Sequence, residues 1–125
     1  MFNWVEGRQK SGYLKMTIFS FWCMDMHILK MPMRSSIDKH LDPIPNLWKG
    51  KYTKHHRLNI VLKHANHGGH FQLVNKKGYV EEDHWNAPLG PRKKRINYFI
   101  ANEQRHKVTK VYKGTRYVLS IGWLT

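Results

Sequence analysis

The chain has 125 residues, 41% apolar and 13% aromatic, enough for one folded core and too few for two ordinary domains. Twenty-two Lys and Arg against eight Asp and Glu leave a formal charge of +14, which favours polyanions such as nucleic acid, an acidic protein or an anionic small molecule. The one cysteine, Cys23, excludes an intramolecular disulfide and a multi-cysteine zinc site, and in "TIFSFWCM" it reads as a small buried apolar residue.

That apolar run is far short of the roughly 20 residues that span a bilayer. The start, "MFNWVEGRQK", lacks the basic-then-apolar pattern of a secretory signal. The expectation is a soluble cytoplasmic protein with no membrane contact.

In chain order, apolar residues recur with period two or in short runs, the signature of strands. "GYLKMTIFSFW" and "MDMHILKM" predict strands at about 13–22 and 24–31. "RLNIVLKH" (57–64) and "GHFQLV" (69–74) follow, the second set off by Gly68-Gly69. "RINYFIA" (95–101), "HKVTKVY" (106–112) and "TRYVLSIGW" (115–123) complete the set, with Lys113-Gly114-Thr115 as a hairpin-type connection. The polar segments "PMRSSIDKHLDPIPNLWKGKYTKHH" and "NKKGYVEEDHWNAPLGPRKK" predict linkers, and only the first ten residues or the Glu81-Glu82 region leave room for a short helix. Short strands with almost no helix indicate an all-β sandwich or barrel, with a double-sheet jelly roll as a good fit.

The residues that carry chemistry lie far apart in the chain. His40 and Asp42 share a face if their stretch is extended, and Asp38 offers a rival carboxylate at equal spacing. His106 precedes Arg116 by ten residues, so both point inward from the two arms of a hairpin. Two imidazoles and one carboxylate leave about three coordination positions open, an arrangement suited to non-haem Fe(II). An arginine supplies a planar fork for a carboxylate.

The segment from about Met26 to Trp123 resembles the catalytic core of the Fe(II)/2-oxoglutarate-dependent oxygenases, in their prolyl-hydroxylase-like branch. "ILKMPMRSSIDKHLDP" resembles that family's strand-loop-H-x-D block, and "RLNIVLKHANHGGHF" its next strand with a Gly-Gly turn. "INYFIANEQRHKVTKVYKGTRYVLSIGW" resembles its final block, with the distal His, a V-x-x-G-x-R turn and a strand closing in Trp. The resemblance implies a double-stranded β-helix (jelly-roll, cupin-like) in a single domain, 1–125, with its catalytic core at about 26–123.

It further implies His40, Asp42 and His106 as iron ligands and Arg116 as the residue that binds the distal carboxylate of 2-oxoglutarate. The implied reaction is decarboxylation of 2-oxoglutarate to succinate and CO2, with O2, coupled to hydroxylation of a substrate C–H bond. Where the family often has a tyrosine before H-x-D, this chain has Met31. Arg57, Asn59 or Ser120 are the candidates to help hold the co-substrate instead. Larger relatives carry bracing N-terminal helices; the expectation here is that self-association as a homodimer takes that part.

His64, His67 and His70, around the Gly-Gly turn, read as an exposed loop, His55-His56 as surface with one of the two a candidate for the pocket mouth, and His27 as a hydrogen-bonded core histidine. Trp48, Tyr52, Tyr79 and Trp85 stand among basic residues in the linkers, which suits a flexible substrate; Trp48, Tyr52 and Trp85 are the substrate-contact candidates. A protein or peptide residue is the leading substrate. Nucleic acid, a small molecule, or a non-catalytic basic module with a relic site are the alternatives. The ten-residue gap from His106 to Arg116, with no second arginine in "RYVLSIGWLT", counts against the DNA-demethylase branch.

Overall fold

The computed structural model describes residues 3–7, 12–21, 23–44, 48–74, 80–82, 84–87, 90–93 and 95–125, with the backbone alone at 80–82, 84–87 and 90–93. Tyr79, the Trp85 side chain and the Trp22 end of the first predicted strand lie outside the described residues.

The strands are β1 (Val5–Glu6), β2 (Leu14–Phe21), β3 (Met24–Met31), β4 (Ile37–His40), β5 (His55–Lys63), β6 (His67–Gly68) and β7 (Phe71–Val74). Then come β8 (Val80–Glu82), β9 (His84–Ala87), β10 (Gly90–Lys93), β11 (Ile96–Ile100), β12 (Arg105–Val108), β13 (Val111–Lys113) and β14 (Arg116–Leu124). A six-stranded sheet runs β1-β2-β3-β14-β5-β11, and a four-stranded sheet runs β4-β12-β7-β8; β13-β6 and β10-β9 form two-stranded pieces. Every pairing between these strands is antiparallel. This is the double-stranded β-helix, and among the described residues there is no α-helix.

Several expectations are corrected. The segments read as room for a helix contain the strands β1 and β8, and the first linker contains β4. Strand β4 escapes a period-two search because Asp38 and Lys39 both face solvent between the inward Ile37 and His40. The predicted strand 106–112 is two strands, β12 and β13, which pair in different sheets. For the same reason Lys113-Gly114-Thr115 is not the turn of a paired hairpin: it carries the chain from β13 to β14 in the larger sheet. His106 and Arg116 therefore face inward from opposed sheets rather than from two arms of one ribbon.

The sheets meet over a core of Met31, Ile37, Ala65, Phe71, Phe99, Ala101, Val108 and Val111. Phe71 of the smaller sheet meets Phe99 of the larger one, ring centroids 5.1 Å apart. At the turn into β7, Gly68 and Gly69 take φ values of 74° and 66°, a region that favours glycine. A Cβ on Gly68 would also stand 2.0 Å from the Lys110 carbonyl oxygen, so this turn demands glycine twice over.

Candidate metal centre

Strands β4 and β12 set His40 directly opposite His106. The register shifts between His106 and Val108, because β4 has two outward residues where its partner has one. This bulge turns His40 inward towards its partner, ring centroids 4.3 Å apart. The following loop is tied to the end of β11 by the Asp42 N–H, which donates to the Ala101 carbonyl at 2.8 Å. Its carboxylate then lies between the two imidazoles. His40 Nε2 is 3.2 Å from Asp42 Oδ1, and His106 Nε2 is 3.2 Å from Asp42 Oδ2.

The opposite ring nitrogens define the tautomers. His40 Nδ1–H donates to the Asp38 carbonyl at 2.6 Å, and His106 Nδ1–H to the Gln104 carbonyl at 2.8 Å. Carbonyls only accept, so in the neutral rings the proton sits on Nδ1 and the Nε2 lone pairs turn to Asp42. Three electron-pair donors thus converge, all within 4.8 Å of one another. Such a set suits a divalent cation and leaves one face of it open. Burial works to raise the Asp42 pKa; with no metal bound and both imidazoles protonated, their Nε2–H groups and positive charge outweigh it and hold the carboxyl well below its usual range. Asp38, the rival carboxylate, faces solvent and contributes its backbone carbonyl instead.

The cluster opens into a cavity of about 220 Å³ between the sheets, which Arg116, Arg57, Asn59 and Ser120 also line. Arg116 is 1% exposed; its Nη1 donates to the Gly69 carbonyl at 2.8 Å and lies 3.5 Å from His64 Nδ1. His64 and His70 are half-buried rather than exposed loop residues, while His67 is exposed as expected. Arg57 is engaged by Asp25 through both terminal nitrogens, at 2.6 and 3.2 Å. Gly122 makes this crossing feasible: a Cβ there would lie 2.5 Å from the Arg57 guanidinium carbon. Ser120 Oγ–H donates to Asn59 Oδ1 at 2.6 Å and accepts from Arg57 Nη1 at 3.2 Å.

Four cavity residues had no role in the sequence reading. Asp25 contacts His27 Nε2 at 3.3 Å, and His27 Nδ1 meets Thr17 Oγ1 at 3.0 Å, so His27 is the hydrogen-bonded histidine expected of it yet faces the cavity. His55 is buried, not on the surface; its Nε2 accepts from Arg57 at 2.9 Å, which leaves the proton on Nδ1. Burial first, then the Arg57 charge, lower the His55 pKa from its ordinary value. Tyr13 lines the cavity one residue before Leu14, which pairs with Lys30 beside Met31. The signal available for these residues was alternation: positions 25, 27, 55 and 57 share the inward parity of Asn59 and Ser120 once the sheet register is known.

Trp48 and Tyr52 do not line the cavity. Their rings stand 5.7 Å apart on the loop that follows His40 and Asp42, with Lys51 Nζ 5.6 Å from the Trp48 ring centroid. Cys23 is half-buried rather than buried.

The Asp25–Arg57 pair carries a pH prediction. Burial works to raise the Asp25 pKa, while the hydrogen bonds from His27 and Arg57 win and lower it from 3.8. The pair therefore stabilises the fold fully above about pH 4 and loses that contribution as pH falls further. In metal-free protein, the urea midpoint should fall between about pH 4 and pH 2. Asp25→Asn should start lower at pH 7 and show a shallower acid slope, the remainder belonging to Asp42; equal slopes would remove Asp25 from this role.

Among the described residues no helix is long and apolar enough to cross a membrane. No curated protein matches the chain in sequence. Among solved structures, a prolyl-4-hydroxylase from Pseudomonas putida is similar with a TM-score of 0.58 and 17% identity, over 81% of this chain and 50% of that one. The chain thus spans half the length of that enzyme. A cupin domain of Cnp3 from Schizosaccharomyces pombe has a TM-score of 0.60 at 7% identity, over 98% of this chain and 69% of that one. A cupin-2 domain from Rhodospirillum rubrum has a TM-score of 0.59 at 11% identity, with the same coverage. At these identities the likeness is one of fold. The family follows from the sequence itself: residues 26–125, which hold the two histidines, the aspartate and Arg116, match that of the 2OG-Fe(II) oxygenase superfamily, to which this chain belongs.

Proposed function

We propose that the chain is an Fe(II)- and 2-oxoglutarate-dependent dioxygenase that hydroxylates a C–H bond in a protein or peptide residue. The observation that carries this is the convergence of His40, Asp42 and His106 on a cavity whose wall holds the buried Arg116. The two Nε2 atoms and the Asp42 carboxylate would hold the iron. With 2-oxoglutarate and O2, the bound metal supplies oxidative decarboxylation to succinate and CO2 and delivery of an oxygen atom to the C–H bond.

The chain's own residues do the rest. The Asp38 and Gln104 carbonyls hold the imidazoles in the tautomer that presents Nε2. With the two imidazoles neutral, Asp42 is the one anionic donor of the set, and a bound cation would keep its carboxylate ionised. Phe99 and Phe71 pack against the His106 ring, 4.6 and 6.3 Å between centroids, and shield that side of the centre from water. With the Arg57 guanidinium engaged by Asp25, the distal carboxylate of 2-oxoglutarate falls to Arg116, deeper in the core. Met31, opposite Arg116 on β3, has no hydroxyl to add; Tyr13 brings a phenol to the same cavity. Trp48, Tyr52 and Lys51 form an aromatic and cationic cluster outside it, fit to meet a peptide chain.

Nucleic acid is the second reading, on the +14 charge. An affinity for single strands that exceeds that for acidic peptides and collapses with salt would favour it. The chemistry is tested by adding Fe(II) and 2-oxoglutarate without oxygen. A visible charge-transfer band should appear, and O2 should then yield succinate. No band and no succinate would leave a non-catalytic module.

A further inference from the structure

The six-stranded sheet is amphipathic in an inverted sense. Its inward positions, facing the cavity, include Asp25, His27, Arg57, Asn59, Arg116 and Ser120. Most of its outward positions are apolar. Leu119 pairs with Ile28 on one side and Ile60 on the other, and Ile121 with Met26 and Leu58, so six apolar side chains fill the centre of the outer face. The flanks are open to solvent: Phe21 is 58% exposed, Met24 44%, Leu62 50%, Ile96 57% and Tyr98 51%. A contiguous apolar face of this kind marks an interface in a soluble protein.

We propose that this outer face is covered by the same face of a second copy of the chain, in a two-fold dimer. Four observations favour a copy over another occupant. The first is size. Five strands, β2, β3, β14, β5 and β11, at about 4.8 Å spacing and about seven residues deep give a face of roughly 600 Å². Two such faces bury on the order of 1,200 Å², which reaches the range of specific interfaces.

The second is shape. Two sheets of the same twist pack face to face at about −30°, so the face is complementary to itself under a two-fold axis. The third is charge. Two chains of +14 repel unless their charges stay outside the contact, and among the described outward positions of these strands the charges are Lys30, beside Trp4, and Lys63, both opposite Tyr117 at one end of the face. The fourth is an anchor. His56 stacks on Trp123 at 5.2 Å and on Tyr98 at 5.8 Å, and its Nε2 is held by Thr125 Oγ1 at 2.7 Å. A rigid aromatic stack at one end of an apolar face is the composition of an interface hot spot. In a two-fold arrangement each copy presents this stack to the other.

This inference does not depend on the oxygenase chemistry and is tested without it. The mass of the chain is measured by light scattering on a sizing column at about 0.15 M salt, where charges are screened beyond about 8 Å. Twice 15.0 kDa is expected at micromolar concentration, dissociating on dilution. The double variant Leu62→Glu, Tyr98→Glu changes two half-exposed side chains, so the fold tolerates it. It also lowers the net charge, so general repulsion cannot account for lost association. It should run at 15.0 kDa, with unchanged strand circular dichroism and a dissociation constant raised at least about 100-fold. Should that pair unfold, Ile96→Glu on the edge strand is the replacement. A native chain that stays at 15.0 kDa up to about 100 µM, or a folded double variant that still dimerises, overturns the proposal. So does a monomer that associates only when a different polypeptide is supplied.

Discussion

Asp42→Ala should abolish tight Fe(II) binding and with it succinate formation, while the protein remains folded. The expected loss of metal affinity exceeds the 10- to 100-fold typical of removing a mere supporting hydrogen bond, because a direct, charged ligand goes. Three lone-pair donors within 4.8 Å hold a cation through charge as much as geometry, and Asp42 is the one anion among them. Thermal unfolding without oxygen reads the effect directly. At a metal concentration 100 times its dissociation constant the native chain gains about 2.7 kcal/mol, a rise on the order of 10 °C in Tm. The variant should gain almost nothing. Its metal-free Tm should fall modestly, since the carboxylate's contacts with the two rings are lost, but the Nδ1 hydrogen bonds that orient the rings involve Asp38 and Gln104 and remain. An undiminished metal-induced shift in Asp42→Ala would mean that the metal sits elsewhere. Asp38→Ala makes the companion control: Asp38 acts through its backbone carbonyl, so that change should leave metal binding intact.

The control also shows why the site was legible only in part. His40, Asp42, His106 and Arg116 converge as their motif pattern implies, because alternation and a bulge act on positions that can be counted along the chain. The choice between Asp38 and Asp42 could not be made from spacing alone, since both lie two residues from His40. The bulge in β4 decides it, and a bulge is a property of the pairing with β12 rather than of either segment. The same holds for Arg57. Its residue type suits a carboxylate ligand, but its neighbour across β14 is Asp25, thirty-two positions earlier, and Gly122 is the gap that lets them meet. His55 read as surface because it adjoins a polar linker, yet the register of β5 against β14 places it opposite Leu124, on the inward side. Strand pairing over long separations carries this information, and a single strand's periodicity does not contain it.

The inverted amphipathicity of the larger sheet makes the same point at the level of the fold. Alternation in "YVLSIGWL" and "HRLNIVLK" correctly identifies strands, and ordinarily the apolar set would be assigned to the core. Here the outward set is the more apolar, while the inward set mixes Val61, Val118 and Leu124 with Arg57, Asn59, Arg116 and Ser120, which line the cavity. The hydrophobic core is correspondingly small and gathers between the sheets around Phe71, Phe99 and Val111.

Arg116→Met should raise the KM for 2-oxoglutarate by on the order of 100-fold and leave Fe(II) binding intact. Truncating one partner of a buried, hydrogen-bonded charge pair costs about 2–5 kcal/mol, roughly 30- to several-thousand-fold in affinity. Arg116 fits that case: at 1% exposure, a carboxylate placed against it has little water to compete with. Its Nη1 donates to the Gly69 carbonyl at 2.8 Å, which orients the guanidinium. Arg57 cannot take over, because the Asp25 carboxylate already occupies its fork. Methionine preserves much of the stem that packs near Gly69, so the loss should appear in ligand binding more than in folding. Arg116→Lys should fall between the two, since it keeps the charge and loses the planar fork. The readouts separate the roles. If Arg116 binds the co-substrate, Met weakens the Fe(II)/2-oxoglutarate absorption band at low 2-oxoglutarate and saturation restores it, while the metal-induced Tm shift of the binary complex is unchanged. If the residue were only a structural strut, Tm would drop and the KM for 2-oxoglutarate would stay at the native value.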